Sequence, residues 1–247
     1  MILYFSATGN CKYVATRIEQ AINDDILSIL DCINKNQFTF EDTQIGIISP
    51  TYFWGLPSIV REFLKKINIK CEYLYFIATY GTTTGAIGQL ADKAINDRKI
   101  DAFYSVRMAD TWTPMYDLST PEKIAEFTTT TEDEIDNIIN KIKENHHNKS
   151  MRLNVPALIV NTIAQPLYNK KIRKTSNLRV ENSCIGCKIC EKKCPVQAIE
   201  MKNDIPIWVK DKCVMCLGCL HRCPKFAIQY GKNTKRHGQF VNPNIKI

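Results

Sequence analysis

Short apolar runs alternate with amphipathic stretches along the first 147 residues. Runs at 2–5, 26–30, 44–49, 73–79 and 102–107 are rich in Ile, Leu, Val, Tyr and Phe without polar alternation, which predicts strands of a parallel sheet covered on both faces. Between them, 12–22 sets Val14, Ala15, Ile18 and Ala21 or Ile22 on one helical face, and 57–67, 84–97 and 121–143 read as further helices. Residues 31–43 are too polar and too short for a full helix. Strands and helices in this order predict a doubly wound α/β fold, whose ligand belongs beyond the carboxyl ends of the strands.

The loops at those ends are where chemistry is expected. Ser6-Ala7-Thr8-Gly9-Asn10 links a strand to a helix and offers hydroxyls, backbone N–H groups and a helix N-terminus to an anion, most simply a phosphate. The loops at 50–57 (PTYFWGLP), 80–85 (YGTTTG) and 109–114 (ADTWTP) add hydroxyls, glycines and aromatic rings on the same edge. A phosphate cradle beside aromatic loops suits a planar ring carrying one phosphate.

After residue 147 the pattern changes. Residues 148–153 are expected to break the preceding helix. Pro156 and Pro166 then delimit an apolar piece whose docking between lobes would fix their orientation, and Lys170, Lys171, Arg173 and Lys174 follow as a solvated basic stretch. Eight of the 11 cysteines then fall in two copies of one pattern, Cys184, Cys187, Cys190, Cys194 and Cys213, Cys216, Cys219, Cys223, each followed by proline (Pro195, Pro224). The copies are offset by 29 residues, and Ala198-Ile199 matches Ala227-Ile228. Zinc sites would show paired CxxC dipeptides at longer separations, and a disulfide framework needs a secreted chain. Cys11, Cys32 and Cys71 have no metal spacing. These shifts divide the chain into domains at 1–147 and 176–232, a linker over 148–175 and a tail over 233–247.

Charge divides the chain as well. Residues 1–150 carry 15 Lys and Arg against 20 Asp and Glu, and residues 151–247 carry 18 against 5, for a formal net charge of +8. Without aromatic–basic interleaving or a helix-turn-helix signal, the basic half reads as a docking face for an acidic redox partner, with no nucleic acid expected. No run approaches 18 uncharged apolar residues and the first residues carry no cationic leader, so a cytoplasmic chain without a membrane span is expected. Hydrolase and NTPase motifs and a nicotinamide fingerprint are absent from the sequence.

The cysteine runs resemble those of bacterial two-cluster ferredoxins, in which the fourth cysteine of each run serves the other [4Fe–4S] cluster. That implies one cluster on Cys184, Cys187, Cys190 and Cys223 and a second on Cys213, Cys216, Cys219 and Cys194. Residues 1 to about 147 resemble flavodoxin, SATGN (6–10) being similar to its phosphate loop and PTYFWGLP (50–57) and TYGTTTG (79–85) to its isoalloxazine loops. The whole chain resembles the flavodoxin–ferredoxin fusion family, including a tail with Arg236, Gly238 and Pro243.

The resemblance implies a five-stranded parallel sheet in the order 2-1-3-4-5 beside a small α+β domain with two [4Fe–4S] clusters. It also implies FMN, held by Ser6, Thr8, Gly9, Asn10 and Cys11, then Pro50, Thr51, Tyr52, Phe53, Trp54 and Gly55, then Thr79, Tyr80, Gly81, Thr82, Thr83 and Gly85, with Trp112. Cys11 stands where flavodoxins commonly have Ser or Thr. The function implied is electron transfer between FMN, the two clusters and an external redox protein. Reduction of a small organic acceptor at the flavin by a ferredoxin-dependent reductase is the alternative, and a non-redox module with structural clusters is a third reading. No acid–base pair is evident, and electron transfer needs none.

Overall fold

The structure, a computed structural model, describes residues 1–96, 98–148 and 155–247, and the side chains of all of these except 155–158. The helix break expected at 148–153 falls almost wholly outside them. In chain order the first lobe runs β1 (Ile2–Tyr4), α1 (Asn10–Ile22), β2 (Ile26–Ser28), α2 (Ile29–Asn34), β3 (Thr39–Glu41), β4 (Gln44–Pro50), α3 (Ser58–Leu64), β5 (Asn68–Lys70), β6 (Tyr73–Tyr80), α4 (Ile87–Ala94), β7 (Ala102–Arg107), α5 (Pro121–Thr128) and α6 (Thr131–Lys143). Five strands form a parallel sheet in the order β2-β1-β4-β6-β7, which is the expected 2-1-3-4-5 once the flanking parallel pair β3–β5 is set aside.

The two-residue period of a strand sorts the apolar runs onto opposite faces. Leu3, Phe5, Ile45, Ile47, Leu74 and Phe76 meet α2, α3 and α4 on one side, while Ile2, Ile48, Tyr75 and Ile77 meet α1 and α6 on the other. Gly46 makes room for this packing, because a Cβ there would lie 2.3 Å from the Tyr75 ring.

The helix expected over 121–143 is two helices. Four consecutive threonines, Thr128 to Thr131, interrupt it: Thr128 Oγ1 donates to Ile124 O (3.4 Å) and Thr131 Oγ1 to Arg107 O (2.6 Å), while Thr130 Oγ1 donates to the Glu134 carboxylate (2.9 Å). Glu132, Asp133 and Glu134 then open α6, where the helix dipole favours acids.

Helix α7 (Val155–Leu167) and a π-helical turn (Tyr168–Ile172) lead into the second lobe. There β8 (Leu178–Val180) pairs with β11 (Ile228–Tyr230) and β9 (Ile199–Lys202) with β10 (Ile205–Trp208), both antiparallel. Single-turn helices α8 (Ile189–Lys192) and α9 (Gly218–His221) follow the cysteine loops, and α10 (Thr234–His237) precedes the tail.

Among the described side chains of helix α7, the polar Asn161 and Gln165 make the docking contacts, where its composition predicts apolar ones. Asn161 Nδ2 donates to Trp54 O (3.2 Å), and Gln165 Nε2 donates to Phe53 O (2.8 Å) and Tyr52 O (3.2 Å). Phe53 and Trp54 sit at positive φ in a tight turn; Gly55 N and Ala86 N already donate to Tyr52 O and Trp54 O, and the two amides add a second donor to each and supply one to Phe53 O. Ile159, Ile163 and Leu167 are left exposed on the other side.

Candidate functional site

The carboxyl ends of β1, β4, β6 and β7 open into one crevice of about 230 Å³. Its floor and walls include Ser6, Thr8, Asn10, Cys11, Pro50, Thr51, Tyr52, Phe53, Trp54, Thr79, Tyr80, Gly81, Thr82, Thr83 and Trp112, so every flavin residue expected from sequence lines it except Gly9, Gly55 and Gly85. Those three glycines lie behind the lining. Gly9 turns the chain at φ 101° with Asn242 against it, Gly55 packs on Asn161 and Gln165, and Gly85 packs on the Trp54 backbone at φ 55°.

Among the described residues, Asp110 is the one charged residue lining the crevice. Burial pushes its carboxyl up to about 6, although Oδ1 accepts a hydrogen bond from Trp112 N–H (3.1 Å) that works the other way. Without lysine or arginine in the lining, an anion here would be met by Ser6 and Thr8 hydroxyls, loop N–H groups and the α1 N-terminus. Thr51 Oγ1 is buried and has no hydrogen-bond partner among the described residues, as a group awaiting a bound ligand would be. Cys11 Sγ lies 3.1 Å from Thr79 Oγ1, and burial raises its thiol to about 12, so it acts as a neutral hydrogen-bonding group, not as a nucleophile.

Aromatic rings close the crevice toward the second lobe. Phe53 stacks on Tyr168 (4.6 Å between centroids, 22°) and meets Trp112 edge-on at 5.1 Å, while Trp112 also meets Tyr230 at 5.2 Å. Phe53 and Trp112 therefore pack against the core of the cysteine lobe as well as lining the crevice. Trp54, by contrast, is 38% exposed at the mouth. Tyr168, Asp110, Met115 and Tyr116 were missed as lining residues, and Met215, Cys216 and Leu217 enter the crevice from the far lobe. Asp110, and Thr111 beside it in the lining, carry a signal as polar residues of a strand-end loop.

The eight cysteines gather at two hollows. Cys194, Cys213, Cys216 and Cys219 line one, and Cys184, Cys187, Cys190 and Cys223 line the other. The sequence repeat is also a backbone repeat: Gly186, Lys188 and Gln197 have positive φ, and so do Met215, Leu217 and Phe226, each 29 residues on. These turns aim N–H groups at sulfur, with Ala198 N donating to Cys194 Sγ (3.2 Å) and, one repeat later, Ala227 N to Cys223 Sγ (3.3 Å).

Burial pushes the Cys190 thiol up to about 11 and Cys216 up to about 12, so metal would have to displace their protons. Among the described residues no three His, Cys, Asp or Glu side chains converge on a single metal ion, as a tetrahedral zinc would require. Paired quartets with amides aimed at sulfur fit larger polynuclear clusters.

Residues 1–137 match the model of the Flavodoxin domain family, and residues 183–228 match that of the 4Fe-4S dicluster domain. No curated protein matches the chain. Similar solved structures include a two-electron reduced flavodoxin from Megasphaera elsdenii (16% identity, 55% of this chain and 99% of that one, TM-score 0.32). A flavoprotein in complex with FMN from Lactobacillus acidophilus is 18% identical over 42% of this chain and 90% of its own (TM-score 0.33). The rubredoxin:oxygen oxidoreductase of Desulfovibrio gigas is 13% identical over 58% and 36%, respectively (TM-score 0.35). The crevice at the strand ends and the paired cysteine quartets thus sit in a chain that belongs to the flavodoxin domain family, fused to a C-terminal 4Fe–4S dicluster domain.

Proposed function

We propose that this electron-transfer flavo-iron–sulfur protein holds FMN in the strand-end crevice and two [4Fe–4S] clusters on the two cysteine quartets, and passes electrons among them to an external protein. When bound, the flavin supplies one- or two-electron chemistry and each cluster one-electron chemistry. One observation carries the reading: Met215, Cys216 and Leu217 line both the crevice and the hollow of Cys194, Cys213 and Cys219. A single thickness of chain separates the two sites.

The residues of the chain have distinct parts in this reading. Ser6, Thr8 and the loop N–H groups bind the phosphate, Thr51 offers an uncommitted hydroxyl to the ring system, and Phe53, Trp112 and Tyr168 exclude water from the side facing the cysteine lobe. The quartet of Cys184, Cys187, Cys190 and Cys223 lies nearer solvent, with Cys187 exposed and the exposed Lys188, Lys192 and Lys193 beside it, which supports an acidic partner docking there. The mouth of the crevice, with Trp54 and the 69% exposed Met115 at its rim, also leaves room for the second reading, a small organic acceptor reduced at the flavin.

Anaerobic purification followed by iron, sulfide and flavin determination tests the cofactors. The expected result is roughly eight iron and eight sulfide per FMN. Half that iron content, or clusters without flavin, would overturn the proposal. Steady consumption of a small acceptor by reduced protein, without a protein partner, would favour the second reading.

A further inference from the structure

The C-terminal tail reaches across both lobes and ends on the phosphate loop. Gln239 Nε2 donates to Leu220 O (2.6 Å) and Cys223 O (2.8 Å), and Phe240 N donates to His221 Nδ1 (3.1 Å), which anchors the tail on α9 and the fourth-cysteine turn. The same stretch meets the first lobe, with Leu118 N donating to His237 O (2.8 Å) and Phe240 packing on Ala109 and Leu118, and at Asn242 it reaches the loop after β1. Asn242 N donates to Thr8 O (2.8 Å), and Asn242 is only 5% exposed. The Cβ that Gly9 lacks would stand 2.8 Å from Asn242 Cβ, so the absence of a side chain there is what admits the tail.

The hydrogen bonds at Asn242 run in one direction. Asn244 N donates to Asn242 Oδ1 (3.0 Å), which fixes the amide so that Asn242 Nδ2 donates to Asn10 Oδ1 (3.1 Å). Asn10 Nδ2 in turn donates to Ala109 O (3.1 Å). Both ends of the Asn10 amide are thereby committed to protein. Across the planar trans peptide, the Thr8 carbonyl and the Gly9 N–H point opposite ways, so engaging the carbonyl from the tail turns the Gly9 N–H away from it.

We propose that Asn242 is a positioning residue for the flavin phosphate: it does not itself line the crevice, but holds the Thr8 backbone and the Asn10 side chain, which do, in the arrangement that receives a phosphate. The inference rests on the reading above that FMN binds here with its phosphate on this loop. It makes the tail part of the flavin site, although it lies over 230 residues from the loop in sequence.

Comparing FMN with riboflavin, which has the same ring and no phosphate, tests this on the full-length, cluster-loaded protein freed of flavin. Asn242→Ala keeps the backbone bond to Thr8 O and removes the two side-chain bonds, to Asn10 Oδ1 and from Asn244 N; titration by flavin fluorescence quenching should show it weakening FMN by roughly tenfold, with riboflavin affinity changed less than about twofold. The alanine variant introduces no charge, so repulsion of the phosphate is not a source of the loss. Asn242→Ser, which restores a shorter side-chain donor facing Asn10, should recover part of it and serves as the readout should the alanine variant lose its clusters. Equal weakening of both flavins, or of neither, overturns the proposal. Wild-type protein that binds riboflavin as tightly as FMN would instead remove the phosphate reading on which it stands.

Discussion

The two lobes reach their folds by different physics. In the first, β4 and β6 run through a sheet packed on both faces, and Phe5, Phe40, Phe63, Tyr75 and Phe76 are all but removed from water. In the second, no strand exceeds four residues and the helices of the cysteine loops are single turns. Its core, around Tyr168, Leu178, Met215, Leu217, Leu220 and Ile228, is completed by Phe53 and Trp112 from the first lobe. Isolated two-stranded ribbons of that length are marginal in water. Burial of apolar surface is thus enough for one lobe, while the other depends on whatever its cysteines bind and on the lobe beside it.

Stripping iron from the protein with a chelator under reducing conditions should separate the two modes most strongly. The cysteine lobe is expected to lose its structure altogether, with rapid tryptic cleavage among Lys188, Lys192 and Lys193, while the β-sheet lobe survives as a protected fragment of roughly 150 residues, the size of an ordinary domain. Persistence of protease resistance through the 184–223 region after iron loss would show that the second lobe is held by side-chain packing after all.

A smaller effect is expected inside the first lobe, at the one carboxyl in its crevice. The folded state raises Asp110 above the ordinary carboxylate range to about 6, so the folded protein binds a proton more tightly than the unfolded chain there. Stability from this group is full below the unfolded value near 4 and is lost as pH rises through about 6. Asp110→Asn, which keeps an oxygen for the Trp112 N–H, should therefore raise the stability of flavin-free protein by about 3 kcal/mol at pH 7.5. The gain should fade to nothing by about pH 4. A gain independent of pH would mean that the burial at Asp110 is not what strains it.

Much of this contrast was legible in the sequence, and the exceptions share a cause. Apolar runs without alternation marked the central strands, and the 29-residue cysteine repeat reappears as matched positive-φ turns because each copy must aim its amides at sulfur. Local composition misled where a side chain's partner lies far away in sequence. The apolar character of α7 concealed that Asn161 and Gln165 make its contacts, and the run Thr128 to Thr131 looked helical until Thr131 found Arg107 O. Burial of Asp110 depends on Gly81, where a Cβ would stand 2.2 Å from the carboxylate's own Cβ. Tyr168 has no periodic signal at all, since its partners are Phe53 and the cysteine loop.

That tyrosine offers the finest test of how far the second lobe leans on the first. Its hydroxyl donates to Val214 O at 2.6 Å, inside the loop between Cys213 and Cys216, while its ring stacks on Phe53. Tyr168→Phe keeps the ring and removes only the hydrogen bond, leaving a buried carbonyl without its donor, for a loss of about 1 kcal/mol. Because the bond lies on the cysteine-lobe side, amide hydrogen exchange should quicken about fivefold at Met215 to Leu217 and stay unchanged in α1 and α6. Exchange that instead quickens across the β-sheet lobe would mean the seam stabilises both lobes alike, and the division between a self-sufficient lobe and a dependent one would have to be redrawn.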